Sequence, residues 1–158
     1  MTRSVLDVAA LHLDQQLCFK LYAASRAVIR AYKPMLDQLG LTYPQYLVML
    51  VLWEWQARAP AQPTVKALGA RLALDSGTLT PLLKRLQQEG LVQRRRAVHD
   101  EREVHLGLTD AGLALRERVL PLKEQLFCAQ GVSAQEVIEL DALRGRLDAL
   151  LVRFTGLP

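Results

Sequence analysis

Apolar residues recur at helical spacing near the start of the chain. The pattern consists of large side chains four or seven residues apart: Leu13, Leu17, Leu21, Val28 and Met35. This spacing predicts one amphipathic helix over residues 14 to about 38. Asp14 is its expected N-cap and Gly40 its expected end. The segment "GLTYPQYLVMLVLWEW" predicts a second helix with Pro44 in its first turn, where a missing N–H costs little. Three of its residues are expected to face the core: Leu47, Leu50 and Val51.

Two short helices separated by a tight turn follow, which is the pattern of a helix-turn-helix. The first is "TVKALGARLAL", and in the second, "DSGTLTPLLKRLQQEGL", leucines form a single apolar stripe: Leu79, Leu82, Leu83 and Leu86. The other side of the second helix carries hydroxyl, amide and basic groups, which suit phosphates and base edges: Thr78, Thr80, Lys84, Arg85 and Gln88. A solvated surface helix has a similar composition. Pro81 leaves two starts open for this helix, one at Ser76 and one after a cap at Thr78.

The next segment, "LVQRRRAVHDEREVHLGLT", predicts a β-hairpin whose turn lies at residues 99–101. Its second arm alternates inward Val104, Leu106 and Leu108 with outward polar residues. A hairpin directly after a helix-turn-helix predicts a winged helix. Its tip would place Arg102 in or beside a DNA minor groove, and Asp100 would orient that guanidinium.

Two more helices are predicted at the C-terminal end. Thr109 caps a helix that runs to about Cys128, and Ser133 with Glu136 forms a capping box for the last one. The last helix repeats apolar residues at alternating intervals of three and four: Leu140, Leu143, Leu147, Leu150 and Phe154. This spacing predicts either a homodimer seam or a core helix.

The predicted fold is therefore mainly α with a small β-hairpin wing. A winged helix-turn-helix DNA-binding core at 44–108 stands between dimerisation helices at 14–38 and 110–154, in one domain of 158 residues. The net charge is +4, and residues 64–106 hold eight Lys/Arg against five Asp/Glu, which favours nucleic acid as a partner. We find no signal peptide, spanning segment, cofactor motif or metal-ligand spacing, and expect a cytoplasmic protein that is not an enzyme.

The two cysteines, Cys18 and Cys128, are too few for a disulfide scaffold. If Asp14 is the N-cap, Cys18 is the fourth helical residue, within reach of the positive helix end that favours a thiolate. Tyr22 lies one turn further on and would lie against it. The alternative is that Cys18 is an inert apolar residue packed on Leu13.

The chain resembles the MarR-type regulators, and within them the organic-hydroperoxide-sensing branch. The resemblance covers residues 13 to 128 and rests on four stretches: "LDQQLCFKLYAASRA", "LGLTYPQYLVMLVLWE", "LALDSGTLTPLLKRLQQEGLVQRRR" and "DEREVHLGLTDAG". The loop "QARAPAQPT" looks longer than is usual in the family, and His99 at the wing tip is a second departure.

The resemblance implies DNA contacts from the recognition helix and the wing: Ser76, Thr78, Thr80, Lys84, Arg85, Arg94, Arg95 and Arg102. It makes Cys18 the peroxide-reactive thiol, faced by the hydroxyls of Tyr32 and Tyr43, with Phe19 as an apolar wall. It makes Cys128 a second thiol that forms a disulfide with Cys18 across the dimer. Because Tyr32 lies fourteen residues beyond Cys18, about 21 Å along one helix, any such contact joins two subunits.

The sequence thus predicts a homodimeric repressor of an inverted-repeat operator, released by organic hydroperoxides. Two other functions remain open. One is a repressor that responds to a small aromatic ligand and whose cysteines are incidental. The other is a thiol peroxidase, which the absence of a CxxC motif disfavours.

Overall fold

Residues 8–58, 60, 63–96 and 103–156 are described by a computed structural model. Two 3-10 turns, Val8–Leu11 and Leu13–Gln15, precede helix α1 (Leu17–Leu39). The later elements are α2 (Tyr43–Ala57), α3 (Val65–Leu72), α4 (Ser76–Gln88), β1 (Val92–Arg96), β2 (Val104–Leu108), α5 (Asp110–Ala129) and α6 (Ala134–Thr155). The fold is mainly α with a two-stranded antiparallel hairpin, as the sequence predicts.

Helix α1 begins at Leu17, and the prediction that Asp14 caps it is wrong. Asp14 lies inside the second 3-10 turn, and Gln16 is the N-cap in an extended conformation (φ −84°, ψ 112°). The Gln16 side-chain amide donates to the His12 carbonyl at 3.0 Å, which holds the turn against the start of the helix. Cys18 is therefore the second helical residue instead of the fourth. The predicted end is confirmed, because Gly40 is left-handed at φ 70°.

Only the C-terminal part of the apolar α1 pattern is buried. Met35, Leu36 and Leu39 are inside the core, whereas Leu17 is 58% exposed and Val28 49% exposed. The N-terminal half of α1 thus presents its apolar face to solvent in the single chain.

Helix α2 is the centre of the core. A capping box between Thr42 and Gln45 starts it, with Pro44 in the first turn as predicted. Leu50, which was expected to face inward, is instead 37% exposed. The physical reason is that α2 is apolar all round, so its sequence has no polar face to mark the outer side. Six of its large side chains are buried: Tyr46, Val48, Met49, Val51, Leu52 and Trp53.

Helices α3 and α4 form the predicted helix-turn-helix. Asp75 caps α4, and its carboxylate accepts both the Thr78 N–H and the Thr78 hydroxyl at 2.9 Å. Helix α4 therefore starts at Ser76, which decides between the two predicted starts, and Pro81 is its sixth residue. Leu79, Leu83 and Leu86 of the predicted stripe are buried, and Leu82 at its edge is half-buried.

The hairpin continues this core. Strands β1 and β2 pair from Val92 opposite Leu108 to Arg96 opposite Val104. A bridge between Thr64 and His105 attaches β2 to the residue that caps α3. The turn predicted at residues 99–101 lies outside the described residues.

The start of α5 is joined tightly to the winged helix. The Trp53 indole Nε1–H donates to the Gly112 carbonyl at 2.8 Å in a buried hydrogen bond. The Thr109 hydroxyl accepts the Gly112 N–H at 3.1 Å, which confirms Thr109 as the cap, and donates to the Gly90 carbonyl at 2.5 Å. A Cβ at Gly112 would lie 2.2 Å from the Leu91 carbonyl oxygen. Only glycine fits this approach.

The chain divides into two compact units, Met1–Leu122 and Lys123–Pro158. The boundary falls within α5, between Leu122 and Lys123. In the second unit, the predicted capping box of Ser133 and Glu136 starts α6, and no α6 residue is buried. Among the described residues, no helix is long and apolar enough to cross a membrane.

We expect Gly112→Ala to lower the free energy of unfolding by about 3 kcal/mol, the upper range for overpacking, because its methyl group meets backbone. Urea unfolding measures the loss. Gly145→Ala on α6, where a Cβ meets nothing within 4 Å, is the control and should raise stability by about 0.5–1 kcal/mol. Equal effects of the two substitutions would contradict the close approach.

The Asp75 cap should make stability depend on pH in the acid range. Hydrogen bonds from the Thr78 N–H and hydroxyl lower the pKa of Asp75 from 3.8. The stabilisation is therefore complete above that ordinary value and is lost as pH falls through the lower folded-state pKa. We expect Asp75→Ala to destabilise the protein most at neutral pH and progressively less below about pH 4. Urea unfolding across pH 3–7 tests this, with Asp148→Ala on α6 as the control. A loss of unfolding free energy in Asp75→Ala that does not change with pH would contradict this prediction.

Candidate nucleic-acid interface and thiol sites

The outer surface of α4 carries the predicted DNA-contacting side chains, but not all on one face. All five are exposed: Ser76, Thr78, Thr80, Lys84 and Arg85. At about 100° per residue, Ser76, Thr80 and Lys84 spread over about 80°. Thr78 and Arg85 lie about 100° or more from Lys84. Helix α4 thus presents one hydroxyl and lysine face and a separate flank with Thr78 and Arg85.

Hydrogen bonds within α4 limit what its hydroxyls offer to a ligand. The Thr78 hydroxyl donates to Asp75 and the Thr80 hydroxyl to the Ser76 carbonyl at 2.7 Å. In these positions both oxygens remain acceptors, whereas phosphate requires donors. Lys84 has no ion pair among the described residues, and Arg85 lies 3.8 Å from Glu89. Lys84 is therefore the strongest donor on its face.

The arginines of the wing point in two directions. Side chains alternate along a strand, so Arg94, paired with buried Leu106, lies on the core-facing side of the hairpin and is half-buried. Arg95, paired with His105, lies on the other side and donates to the Gln93 amide oxygen at 3.0 Å. Arg94 and Arg95 are thus not brought together.

Arg96 is a basic residue that sequence reasoning missed. It is exposed at the end of β1 and shares a side of the hairpin with Arg94. The alternation of the strand, applied to the "RRR" run, was the signal that would have found it. Arg102 and Asp100 lie outside the described residues.

Cys18 is an exposed free thiol in the first turn of α1. The N-cap residue Gln16 makes no side-chain cap to this turn, so the turn's N–H groups add to the positive end of the helix. Phe19 beside it is half-buried, with the Lys20 ammonium 6.0 Å from its ring centre. Cys128, also an exposed free thiol, lies in the last turn of α5.

Tyr32 and Tyr43 come together in one aromatic cluster with a third tyrosine, Tyr46. The ring centres of Tyr32 and Tyr43 are 5.8 Å apart, edge to face, and those of Tyr32 and Tyr46 are 6.0 Å apart. Tyr22 is not in this cluster. It is 59% exposed, and its hydroxyl accepts a hydrogen bond from Arg26 at 3.3 Å.

Burial affects the acidity of two phenols in this cluster. Burial, and secondarily the neighbouring Tyr43, raises the pKa of Tyr32, and burial raises the pKa of Tyr46 to about 12. The hydroxyls of Tyr32 and Tyr46 therefore keep their protons at neutral pH and remain hydrogen-bond donors. Tyr46 is 2% exposed, and its hydroxyl has no partner among the described residues. Its spacing of three from Tyr43, on one face of α2, was the sequence signal for it.

An open groove of about 510 Å³ lies between the C-terminal half of α1 and the start of α2. Leu36 and Leu41 form buried parts of its floor. Its charged side chains are Arg26, Arg30, Lys33 and Asp37, of which Lys33 and Asp37 pair at 2.8 Å. Tyr43 also lines it, so the groove adjoins the tyrosine cluster. The described residues include no cluster of three or more metal-ligating side chains.

A family model described as the transcriptional regulator SarA/Rot matches residues 30–119. The organic hydroperoxide resistance transcriptional regulator of Bacillus subtilis (strain 168) is 46% identical over 139 residues, 88% of this chain and 89% of that protein. HTH-type transcriptional regulator MgrA of Staphylococcus aureus is 40% identical over 137 residues, 86% of this chain and 90% of that protein.

Solved structures agree with the sequence relatives. AbfR of Staphylococcus epidermidis superposes with a TM-score of 0.68 at 37% identity, over 88% of this chain and 93% of AbfR. Reduced AbfR bound to DNA superposes with a TM-score of 0.66 at 39% identity, over 88% of this chain and 96% of AbfR. AbfR with its disulfide formed superposes with a TM-score of 0.64 at 37% identity, over 90% of this chain and 91% of AbfR. The chain therefore belongs to the SarA/Rot family of MarR-like winged-helix transcriptional regulators, which bind DNA.

Proposed function

We propose that this regulator is a homodimeric repressor that releases an inverted-repeat operator when an organic hydroperoxide oxidises Cys18. The observation that carries the proposal is the position of Cys18, an exposed free thiol in a first helical turn that has no side-chain cap. Thiols at helix N-termini are the reactive ones, whereas structural cysteines are buried. The similarity to a hydroperoxide resistance regulator supports the same reading.

Homodimerisation is supported by apolar surface that the single chain leaves in solvent. On α1, Leu17 and Val28 are about half exposed. On α6, described by itself, three residues of the predicted seam are exposed, Leu140 and Leu143 at 49% and Phe154 at 82%, whereas Leu147 and Leu150 are half-buried. Ile138 and Leu151, which lie outside the seam, are exposed as well. Two copies would present two recognition helices to half-sites about one helical turn of DNA apart.

The reaction requires only groups of the protein and the peroxide. The Cys18 thiolate attacks the terminal oxygen of the hydroperoxide, the O–O bond breaks, and the alkoxide takes a proton and leaves as an alcohol. Cys18 is then a sulfenic acid. The hydroxyls of Tyr32 and Tyr43 of the partner subunit are suited to donate hydrogen bonds to the leaving oxygen. The thiol of the partner subunit's Cys128 attacks the sulfenic sulfur, and a disulfide forms with loss of water.

Disulfide formation would couple chemistry to DNA release. Drawing two helices together changes the separation of the recognition helices, and the fit to the half-sites is lost. A coupling of about 3 kcal/mol weakens binding about 150-fold. AbfR, which has been solved reduced on DNA and in a disulfide-formed state, provides the structural precedent for two such states.

The groove beside Tyr43 favours a second candidate function, a repressor that responds to a small aromatic ligand. Its apolar floor and its excess of cations, from Arg26 and Arg30, suit an aromatic anion. This function predicts that alkylation of both thiols leaves the response to the ligand intact.

We expect cumene hydroperoxide to release the wild type from DNA containing its operator, and dithiothreitol to restore binding. Cys18→Ser should stay bound, because it has no sulfur to oxidise. Cys128→Ser should still form a sulfenic acid but no intersubunit disulfide on a non-reducing gel. Fluorescence anisotropy of labelled DNA measures release. If peroxide also released Cys18→Ser from the DNA, the proposal would be wrong. If peroxide released neither the wild type nor the variant, the ligand-responsive repressor would be favoured.

Lys84→Ala should weaken operator binding on the order of tenfold and reduce the slope of log K against log salt by about 1, as expected for one lost phosphate contact. Anisotropy titrations at several salt concentrations measure both. Arg116→Ala, which removes a cation that pairs with Glu117 on α5, is the matched control and should leave the slope unchanged. An unchanged slope for Lys84→Ala would remove Lys84 from the DNA interface.

A further inference from the structure

The middle of the outer surface of α4 is flat and carries no charge. Pro81 is exposed and, at about 100° per residue, points about 140° or more from the three buried leucines of this helix. Gly77, one turn earlier, is exposed, has no side chain and lies within about 40° of the same line. Thr78 lies about 60° to one side of Pro81. We call Gly77, Thr78 and Pro81 the midline patch, because it lies opposite the core.

Thr78 contributes a methyl group to the midline patch. Its hydroxyl donates to the Asp75 carboxylate at 2.9 Å, and the same carboxylate accepts the Thr78 N–H at 2.9 Å. The hydroxyl proton is therefore used within the protein. Residues three apart are neighbours on a helix surface. The methyl group of Thr78 and the ring of Pro81 are thus neighbouring apolar groups on an exposed surface.

Pro81 also removes a backbone hydrogen bond from α4. It is the sixth residue of the helix and has no N–H, so the Gly77 carbonyl four residues earlier lacks its normal α-helical donor. Proline is the least favourable residue in a helix interior. Helix formation therefore gives no reason for a proline at this position, whereas a binding role for its exposed ring does.

Cations stand on both sides of the midline patch, one turn further along α4. Lys84 lies about 60° to one side of Pro81 and Arg85 about 40° to the other, and both are exposed. When a helix lies in a major groove, its midline faces the base edges and its flanks face the phosphates. The order of side chains on α4 matches this division, with cations for phosphates on the flanks and an apolar surface for bases between them.

We infer that the midline patch receives the methyl group of a thymine in each half-site, so that Pro81 and Thr78 set the base preference at that position. The inference rests on the operator binding proposed above and names the base that is read. Thymine alone among the four bases carries an apolar group on its major-groove edge.

Guanine is the base that the midline patch suits least. Its major-groove edge presents two acceptors, N7 and O6. The side chains of Gly77, Thr78 and Pro81, all in the described part of the chain, offer no further donor, because the Thr78 proton is bound to Asp75. The Gly77 carbonyl is itself an acceptor and would face acceptors. The patch therefore selects by shape and apolar contact, and hydrogen bonding works against guanine.

Replacing thymine by uracil tests the contact, because uracil lacks only the methyl group. The probe is a labelled duplex with the inverted repeat from the promoter region of the chain's own gene. Symmetric thymines of the two half-sites are replaced one pair at a time, and fluorescence anisotropy measures the dissociation constant. Burial of one methyl group changes affinity about fourfold, so we expect one symmetric pair to weaken wild-type binding about fifteenfold.

Pro81→Ala removes the ring and restores an N–H for the Gly77 carbonyl. The variant should be at least as stable as the wild type in urea, so a change in its binding does not come from unfolding. At the sensitive pair, its preference for thymine over uracil should fall from about fifteenfold to about fourfold or less. Pro121→Ala, which makes the same backbone change in α5, is the matched control and should keep the full preference.

Thr78→Ser tests the second half of the contact. Serine keeps the hydroxyl that bonds to Asp75 and loses only the methyl group, so the fold of the cap is preserved. We expect this variant to show a reduced preference for thymine at the same pair. The preference should disappear when Thr78→Ser is combined with Pro81→Ala.

Two outcomes would overturn the inference and leave the proposed repressor standing. In the first, no uracil pair weakens binding of the wild type. In the second, a sensitive pair exists but Pro81→Ala keeps the same preference, which means that the methyl group acts through another side chain or through the DNA itself. Failure of the wild type to bind the inverted repeat would overturn the proposed repressor and the inference together.

Discussion

The buried hydrogen bond from Trp53 to the Gly112 carbonyl joins the parts of the first unit that have to act together. Trp53 belongs to the central helix α2, and Gly112 belongs to the first turn of α5. Between them, the Leu91 carbonyl at the start of the wing lies where any side chain at residue 112 would clash. An indole N–H buried without an acceptor costs about 1–3 kcal/mol, so burial of Trp53 demands that α5 begin at this place. The direction in which α5 starts is thereby fixed relative to the recognition helix α4.

The tyrosine cluster is contiguous with this joint. The ring centres of Tyr46 and Trp53 are 6.5 Å apart, and Tyr46 in turn contacts Tyr32 and Tyr43. A packed path of aromatic rings therefore leads from the side chains proposed to face a reactive thiol to the start of α5. Packed cores shift between discrete arrangements and do not deform continuously. The contacts of this path end at the first turn of α5, where Trp53 donates to the Gly112 carbonyl.

The same burial that builds the cluster sets its chemistry. Removal from water raises the pKa values of Tyr32 and Tyr46, and both hydroxyls keep their protons. A protonated phenol donates a hydrogen bond to a developing alkoxide, whereas a phenolate would repel it. Tyr32 and Tyr46 thus offer hydrogen-bond donors and add no charge to the thiol site proposed for Cys18.

The local features of this protein follow from its sequence. The caps at Thr42, Thr109 and Ser133 are short-range motifs, and the stripe of Leu79, Leu83 and Leu86 follows from helical period alone. The start of α1 was not predictable in this way. A 3-10 turn that the apolar pattern does not reveal includes Asp14, and Gln16 takes the N-cap position and donates a hydrogen bond to the carbonyl of His12. The exposure of Leu50 was not predictable for a different reason. Helix α2 is apolar all round, so no polar face marks which side is turned to solvent.

For the site, residue types were readable from the sequence and their grouping was not. The arginines of the wing are the exception, because strand alternation, which the sequence already shows, separates Arg94 from Arg95. The sequence marked Tyr32 and Tyr43, but only packing of α1 on α2 brought them together and added Tyr46. The sequence by itself determined which elements form, because caps and periodicity act within a few residues. The tertiary structure alone decided which side chains share a surface, because that depends on contacts between residues far apart in the chain.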